Sequence, residues 1–136
     1  MKNPRRRTSY ETELVKLIRE AGYYAIRVPA SGRHDLDAIG DVSMCFNKIF
    51  IAIEVKSTNQ DFLYCSKIRP DAEKLVSLSR KFIFPAVFAI RFINRSEGGW
   101  RFILPEDIIK HKKILRHKTF SKPEELSEHL KQVLQQ

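Results

Sequence analysis

Residues 48–56, KIFIAIEVK, decide how the rest of the chain is read, because they form a strand pattern that ends in two charges. Successive side chains of a strand point to opposite faces. Ile49, Ile51, Ile53 and Val55 therefore share one face, and Phe50, Ala52, Glu54 and Lys56 the other. A strand that is apolar on both faces until its last turn is expected at the centre of a covered sheet, where an unpaired carboxylate costs on the order of several kcal/mol. Glu54 needs a counter-charge: either Lys56 alone, as a structural salt bridge, or a metal ion in a cleft at the strand's end.

Composition narrows the partners. A chain of 136 residues with 43% hydrophobic content is sized for a single domain that folds without staples. Its 25 Lys and Arg outnumber 16 Asp and Glu, for a net charge of +9, which favours an anionic polymer such as nucleic acid. Cys45 and Cys65 lack the spacing of a zinc site or a disulfide framework and read as ordinary thiols. The start, MKNPRRR, has no apolar segment behind it, and no apolar run reaches the roughly 20 residues of a membrane span. The expectation is a soluble, cytoplasmic protein.

Moving outward from residues 48–56, residues 1–7 with Arg5, Arg6 and Arg7 read as an extended basic arm, either a solvated tail or a phosphate clamp. Thr8 to Ala21 reads as a helix stopped by Gly22, with Thr8 and Glu11 spaced as a capping box. Glu11 also falls at the edge of the buried stripe, from where it could reach a cleft. Tyr23 to Val28 is a strand candidate, and Ser31 follows in a Pro-Ala-Ser-Gly turn. Asp35 and Asp37 open a strand-like segment at period two and form a candidate cation site, whereas Asp41 beside Gly40 suits a solvated turn.

Residues 42–47 read as a turn into the Glu54 strand, and residues 57–70 as polar and irregular. Pro70 and Asp71 open a helix with apolar positions at helical spacing. Residues 85–92 form a buried-type strand, expected to run parallel to the Glu54 strand as a β-α-β unit. A further strand follows at Trp100 to Leu104, then a short helix from Pro105. The run KHKKILRHK, residues 110–118, is a solvated face or a phosphate contact, and Leu126 to Leu134 suggests a terminal helix.

Helix-borne Glu11, loop Ser31, Asp35, and Glu54-Val55-Lys56 at a strand end follow the order of the PD-(D/E)XK nuclease superfamily. More narrowly, the chain resembles the archaeal Holliday junction resolvases. The resemblance runs over about residues 5–105: the arm Arg5-Arg6-Arg7, the helix start Glu11-Thr-Glu-Leu-Val, the loop Ala30-Ser31-Gly32, Asp35-Leu36, Glu54-Val55-Lys56-Ser57-Thr58, Tyr64, the helix Ala72 to Phe82, and Trp100-Arg-Phe. His34 precedes Asp35 where the superfamily often has Pro, and Asp37 competes for the aspartate's place.

This resemblance implies an α/β fold, a central mixed β-sheet flanked by helices as in restriction endonucleases, spanning residues 1–136 with a basic and helical segment at 106–136. It implies metal-assisted cutting of four-way DNA junctions by a homodimer, since resolution needs two nicks. Asp35, Glu54 and the Val55 carbonyl would hold Mg²⁺, or Mn²⁺ in its place, with Glu11 bound directly or through water. Lys56 would position the attacking water, Ser31 would contact the phosphate, and Arg5, Arg6, Arg7 and Arg33 would hold DNA. A repair or restriction-type endonuclease of the same fold, and a DNA-binding module without catalysis, are the competing readings.

Overall fold

The computed structural model describes residues 4–28, 40–94 and 99–126, the first five by backbone alone. Its elements are, in order, α1 (Pro4–Glu20), β1 (Tyr24–Arg27), β2 (Val42–Phe46), β3 (Ile49–Thr58), β4 (Phe62–Tyr64), α2 (Arg69–Phe82), β5 (Ala86–Phe92), β6 (Trp100–Ile103), α3 (Pro105–Lys110) and β7 (Lys113–Leu115). Short 3₁₀ turns follow at Arg116–Lys118 and Pro123–Leu126. Among the described residues, five strands form one sheet in the order β1-β2-β3-β5-β6, with β3 at its centre, while β4 and β7 pair apart from it. β3 and β5 run parallel through α2, as the helical stretch between them requires, and the other neighbours in the sheet are antiparallel. The sheet is thus mixed and flanked by helices, as expected.

Two cores lie on opposite faces. Under α1, Leu14 and Ile18 meet Met44, Ile51, Ile53 and Val87. Under α2 and α3, Ala72 and Leu75 meet Phe88, Ile90, Phe92 and Ile108. The alternation in β3 is the one read from its sequence: Ile51, Ile53 and Val55 are at most 2% exposed and face α1. The other face is covered over only part of the sheet. Phe50 is 60% exposed and meets Tyr24 of β1 edge to face, with ring centroids 6.3 Å apart.

Four local readings change. Residues 42–46 are a strand, because Val42 and Met44 alternate with Ser43 and Cys45 and bury fully. The turn is confined to Asn47 and Lys48, both at positive φ (55° and 69°), the two-residue geometry whose twist matches an antiparallel hairpin. Residues 57–70 are only partly irregular. β3 continues to Thr58, and β4 finds its partner in β7, far along the chain.

The helix begins at Pro4 instead of Thr8, so residues 4–7 are helical and Thr8 is no cap. Proline is pre-organised for the first helical position and arginine is a good helix former, which together extend the helix backwards. Finally, Pro123 opens a 3₁₀ turn that buries Leu126 against the α1 core, while residues 127–136 lie outside the described residues.

Candidate active site

The site begins with how the chain enters β2. Gly40 has φ +77°, and a Cβ there would stand 3.0 Å from the Ile53 carbonyl oxygen, so only glycine lets the backbone press this closely on β3. Asp41 follows, its N–H donating to the Ile53 carbonyl at 2.7 Å. Its carboxylate then takes the place of a ladder acceptor: Oδ2 accepts the N–H of Val55 at 2.8 Å. The result is a carboxylate fixed at the edge of β3 beside Glu54, close enough to act on its charge.

Glu54 is desolvated without being sealed, its side chain 25% exposed. Burial, then the Asp41 carboxylate beside it, pushes its carboxyl up to about 7, with Lys56 pulling the other way and Asp71 adding to the rise. Lys56 does lie beside Glu54, at 3.9 Å from Oε2, but its close partner is Asp71 in the first turn of α2, at 2.7 Å. A simple Glu54–Lys56 salt bridge therefore does not account for the site. A carboxyl raised toward neutrality stands beside a second carboxylate, and a lysine is held next to them by a third acid.

Glu11 approaches the same end of the sheet from the α1 side. It is 8% exposed, and its Oε1 is 3.4 Å from Arg27 Nε. Arg27 stands opposite Val42, and the neighbouring Val28 N–H donates to the Asp41 carbonyl at 2.9 Å. Ser31, Arg33, Asp35 and Asp37 lie outside the described residues, as do the side chains of Arg5, Arg6 and Arg7.

Asp41 and Asp71 are the site residues that sequence reading missed. For Asp41 a signal existed: once residues 42–46 pair with residues 49–53 across Asn47-Lys48, the last pair is Val42 with Ile53, and the next position outward sets Asp41 against Glu54. For Asp71 there was none, since its contact with Lys56 depends on where α2 docks.

Among the described residues, no group of three or more His, Cys, Asp and Glu side chains is placed to hold a metal ion. The donor chemistry nonetheless fits a hard divalent cation. Asp41 and Glu54 offer carboxylate oxygens side by side in a partly desolvated site, where burial and then their mutual repulsion raise Glu54 and a cation would offset that repulsion. A cavity of about 410 Å³ bounded by Phe102, His111, Ile114 and Phe120 lies apart from this cluster and is lined by none of its residues. No described helix is long and apolar enough to cross a membrane.

Comparison with known proteins identifies the family and the fold. The family model described as archaeal Holliday junction resolvase (Hjc) matches residues 2–136. Among solved structures, the chain is similar to Hjc of Archaeoglobus fulgidus, a Holliday junction resolvase from an archaeal hyperthermophile, with a TM-score of 0.67 and 26% sequence identity over 90% of this chain and 98% of that one. The mixed five-stranded sheet between helices is common to both. With the resolvase model matched from residue 2 to the last residue, and with an acidic pair beside a strand-end Glu-x-Lys at the sheet's centre, this chain belongs to the archaeal Holliday junction resolvase family, nucleases that cut four-way DNA junctions.

Proposed function

We propose that Asp41, Glu54 and Lys56 form the hydrolytic centre of this resolvase, with Mg²⁺ as the ion and Mn²⁺ as a substitute. The observation that carries the reading is the Asp41 carboxylate, fixed on the Val55 N–H at 2.8 Å beside a largely buried Glu54 whose carboxyl is raised to about 7 by burial first and by Asp41 second, with Lys56 Nζ 3.9 Å away. Asp41 and Glu54, with the Val55 carbonyl, would hold the ion, and Glu11 would bind it directly or through water. A divalent cation held there supplies Lewis acidity to the scissile phosphate and the attacking water.

The chain's own groups do the rest. Lys56 has three N–H donors, of which Asp71 takes one and so fixes the direction of the others toward the attacking water or the charge developing on phosphate. Asp41, bonded to the Val55 amide, cannot swing away from Glu54. Ser31 would contact the phosphate, and Arg5, Arg6, Arg7 and Arg33 would hold DNA arms. Asp35, the aspartate suggested by sequence resemblance, remains a rival to Asp41 for the ion and is separable from it by mutation.

The same reading makes the working unit a two-fold homodimer, because resolution needs two nicks and each chain offers one such centre. Supporting it is an apolar patch on the uncovered part of the sheet: Tyr24, Ile26 and Phe50 are 55%, 38% and 60% exposed, and Phe82 and Ile83 at the end of α2 are 58% and 51% exposed. The end of α2 runs down beside β3, where Ala52 N–H donates to the Pro85 carbonyl. Ile83, at φ +55°, is the left-handed cap that ends α2 and turns the chain toward β5. Incubating a labelled four-way junction and a linear duplex of equal length with the protein tests the function. Paired cuts on the junction alone, present with Mg²⁺ and lost with EDTA, are expected; cutting that survives EDTA, or that spares the junction, contradicts it.

A further inference from the structure

The ribbon of β4 and β7 has two faces of different chemistry. Leu63 and Ile114 point into the core beneath α2 and α3 and are buried. Phe62 stands opposite Leu115 and Tyr64 opposite Lys113, so these four share the outer face. There Phe62 and Tyr64 meet edge to face with centroids 4.9 Å apart, and Lys113 Nζ lies 4.3 Å from the centre of the Phe62 ring. Phe62 is thus already engaged by a ring and a cation, whereas Tyr64 is 59% exposed.

The ribbon is held firmly and held close to the hydrolytic centre. Arg116 pairs with Asp61 at 3.0 Å, Arg69 donates to the His111 carbonyl at 2.9 Å, and Cys65 N–H donates to the Lys112 carbonyl at 2.9 Å. Thr58, two places past Lys56 on β3, donates its hydroxyl to the Phe62 carbonyl at 3.4 Å. The chain leaving Tyr64 enters α2, whose Asp71 holds Lys56. Among the described residues, Lys110, Lys112, Lys113 and Lys118 have no carboxylate within ion-pair distance, so the ribbon is bordered by uncompensated positive charge.

We infer that this face is a stacking platform for an unstacked base at the branch point of the junction. The Tyr64 ring lies against the base, and Lys113 with its neighbouring lysines takes the adjoining phosphates. The inference rests on the junction-cutting reading of the Asp41–Glu54 cluster. Bases inside a duplex are stacked on both sides and have no use for such a ring, whereas bases at an open branch point lack a neighbour. Tyr64 therefore separates branch from duplex, while the lysines serve both.

The test uses Glu54→Gln protein, which holds junction without cutting, and two four-way junctions carrying 2-aminopurine either at the branch point or in mid-arm. Binding is expected to change the fluorescence of the branch probe and leave the mid-arm probe unaltered. Adding Tyr64→Ala should abolish that change and weaken junction binding about tenfold, with duplex binding unaffected and the thermal transition retained. Tyr64→Phe, which keeps the ring, should restore both. A branch probe that responds equally with Tyr64→Ala, or an equal loss of affinity for junction and duplex, overturns the platform. Failure of the unmutated protein to cut junctions would instead overturn the underlying reading, and that result is read in a separate lane.

Discussion

The two ends of β3 carry opposite chemistry on the same sheet face. At its start, Phe50 is exposed beside Tyr24, with no charge drawn into the contact. At its end, Glu54 and Lys56 are half-buried among Asp41 and Asp71. The faces continue the same alternation, so the strand pattern itself does not set them apart. What differs is coverage: α2 begins beside Lys56, through Asp71, and passes off the sheet by Pro85, leaving the polar end partly desolvated and the apolar end open. On the proposed reading, the desolvated end is the place for chemistry and the exposed end the place for a second chain.

The largest effect expected from breaking the polar end is on cutting. Glu54→Ala should lower junction cleavage by about a thousandfold or more, because on the proposed reading it removes a ligand to the ion that would carry the charge stabilisation. Junction affinity, dominated by Lys and Arg on phosphates, should hold in a gel-shift titration. Breaking the apolar end should do something different. Phe50→Asp places a charge in the exposed patch, so the mass measured by light scattering should fall to that of one chain, and a cruciform plasmid should yield nicked circles in place of linear product. Intact folding is expected there, since the ring is 60% exposed.

Smaller effects sharpen the comparison. Gly40→Ala adds a Cβ 3.0 Å from the Ile53 carbonyl at φ +77° and should cost about 1–3 kcal/mol in urea unfolding, together with a loss of cutting as Asp41 is displaced. The smallest is a pH effect. Because the Glu54 carboxyl is raised from 4.5 to about 7, the folded chain binds more protons than the unfolded chain between those values. The Glu54 contribution to stability without metal should therefore fall as pH rises through that window, by no more than about 3.5 kcal/mol, and be constant below it. Glu54→Gln should flatten the slope, as should saturating Mg²⁺, and thermal unfolding from pH 4 to 8 would measure both.

How far this was legible in the sequence follows the range of each interaction. The β3 pattern, its Glu54 and Lys56 on one face, and the parallel return through α2 depend on neighbours in the chain and on apolar spacing, and all were readable. The β2 strand was hidden because its turn, Asn47-Lys48, carries no glycine, and a turn at two positive φ values without one is easily passed over. With β2 hidden, Asp41 looked like loop polarity instead of the residue across from Glu54. The β4–β7 pair joins segments far apart in sequence, each only three residues long, so no local period announces it. Glu11 reads as a helix cap in sequence, but the helix starts at Pro4 and leaves Glu11 buried against Arg27.

The central claim is that Asp41, held on the Val55 amide beside Glu54, is the aspartate of the hydrolytic centre. Asp41→Asn and Asp35→Asn should each be assayed on a labelled four-way junction under single-turnover conditions, with calorimetric titration of Mg²⁺ alongside. The account predicts that Asp41→Asn cuts at least about a hundredfold more slowly and loses the Mg²⁺ binding heat, while Asp35→Asn cuts at a rate close to the unmutated chain. Normal cutting and normal Mg²⁺ binding by Asp41→Asn, with both lost in Asp35→Asn, would contradict it.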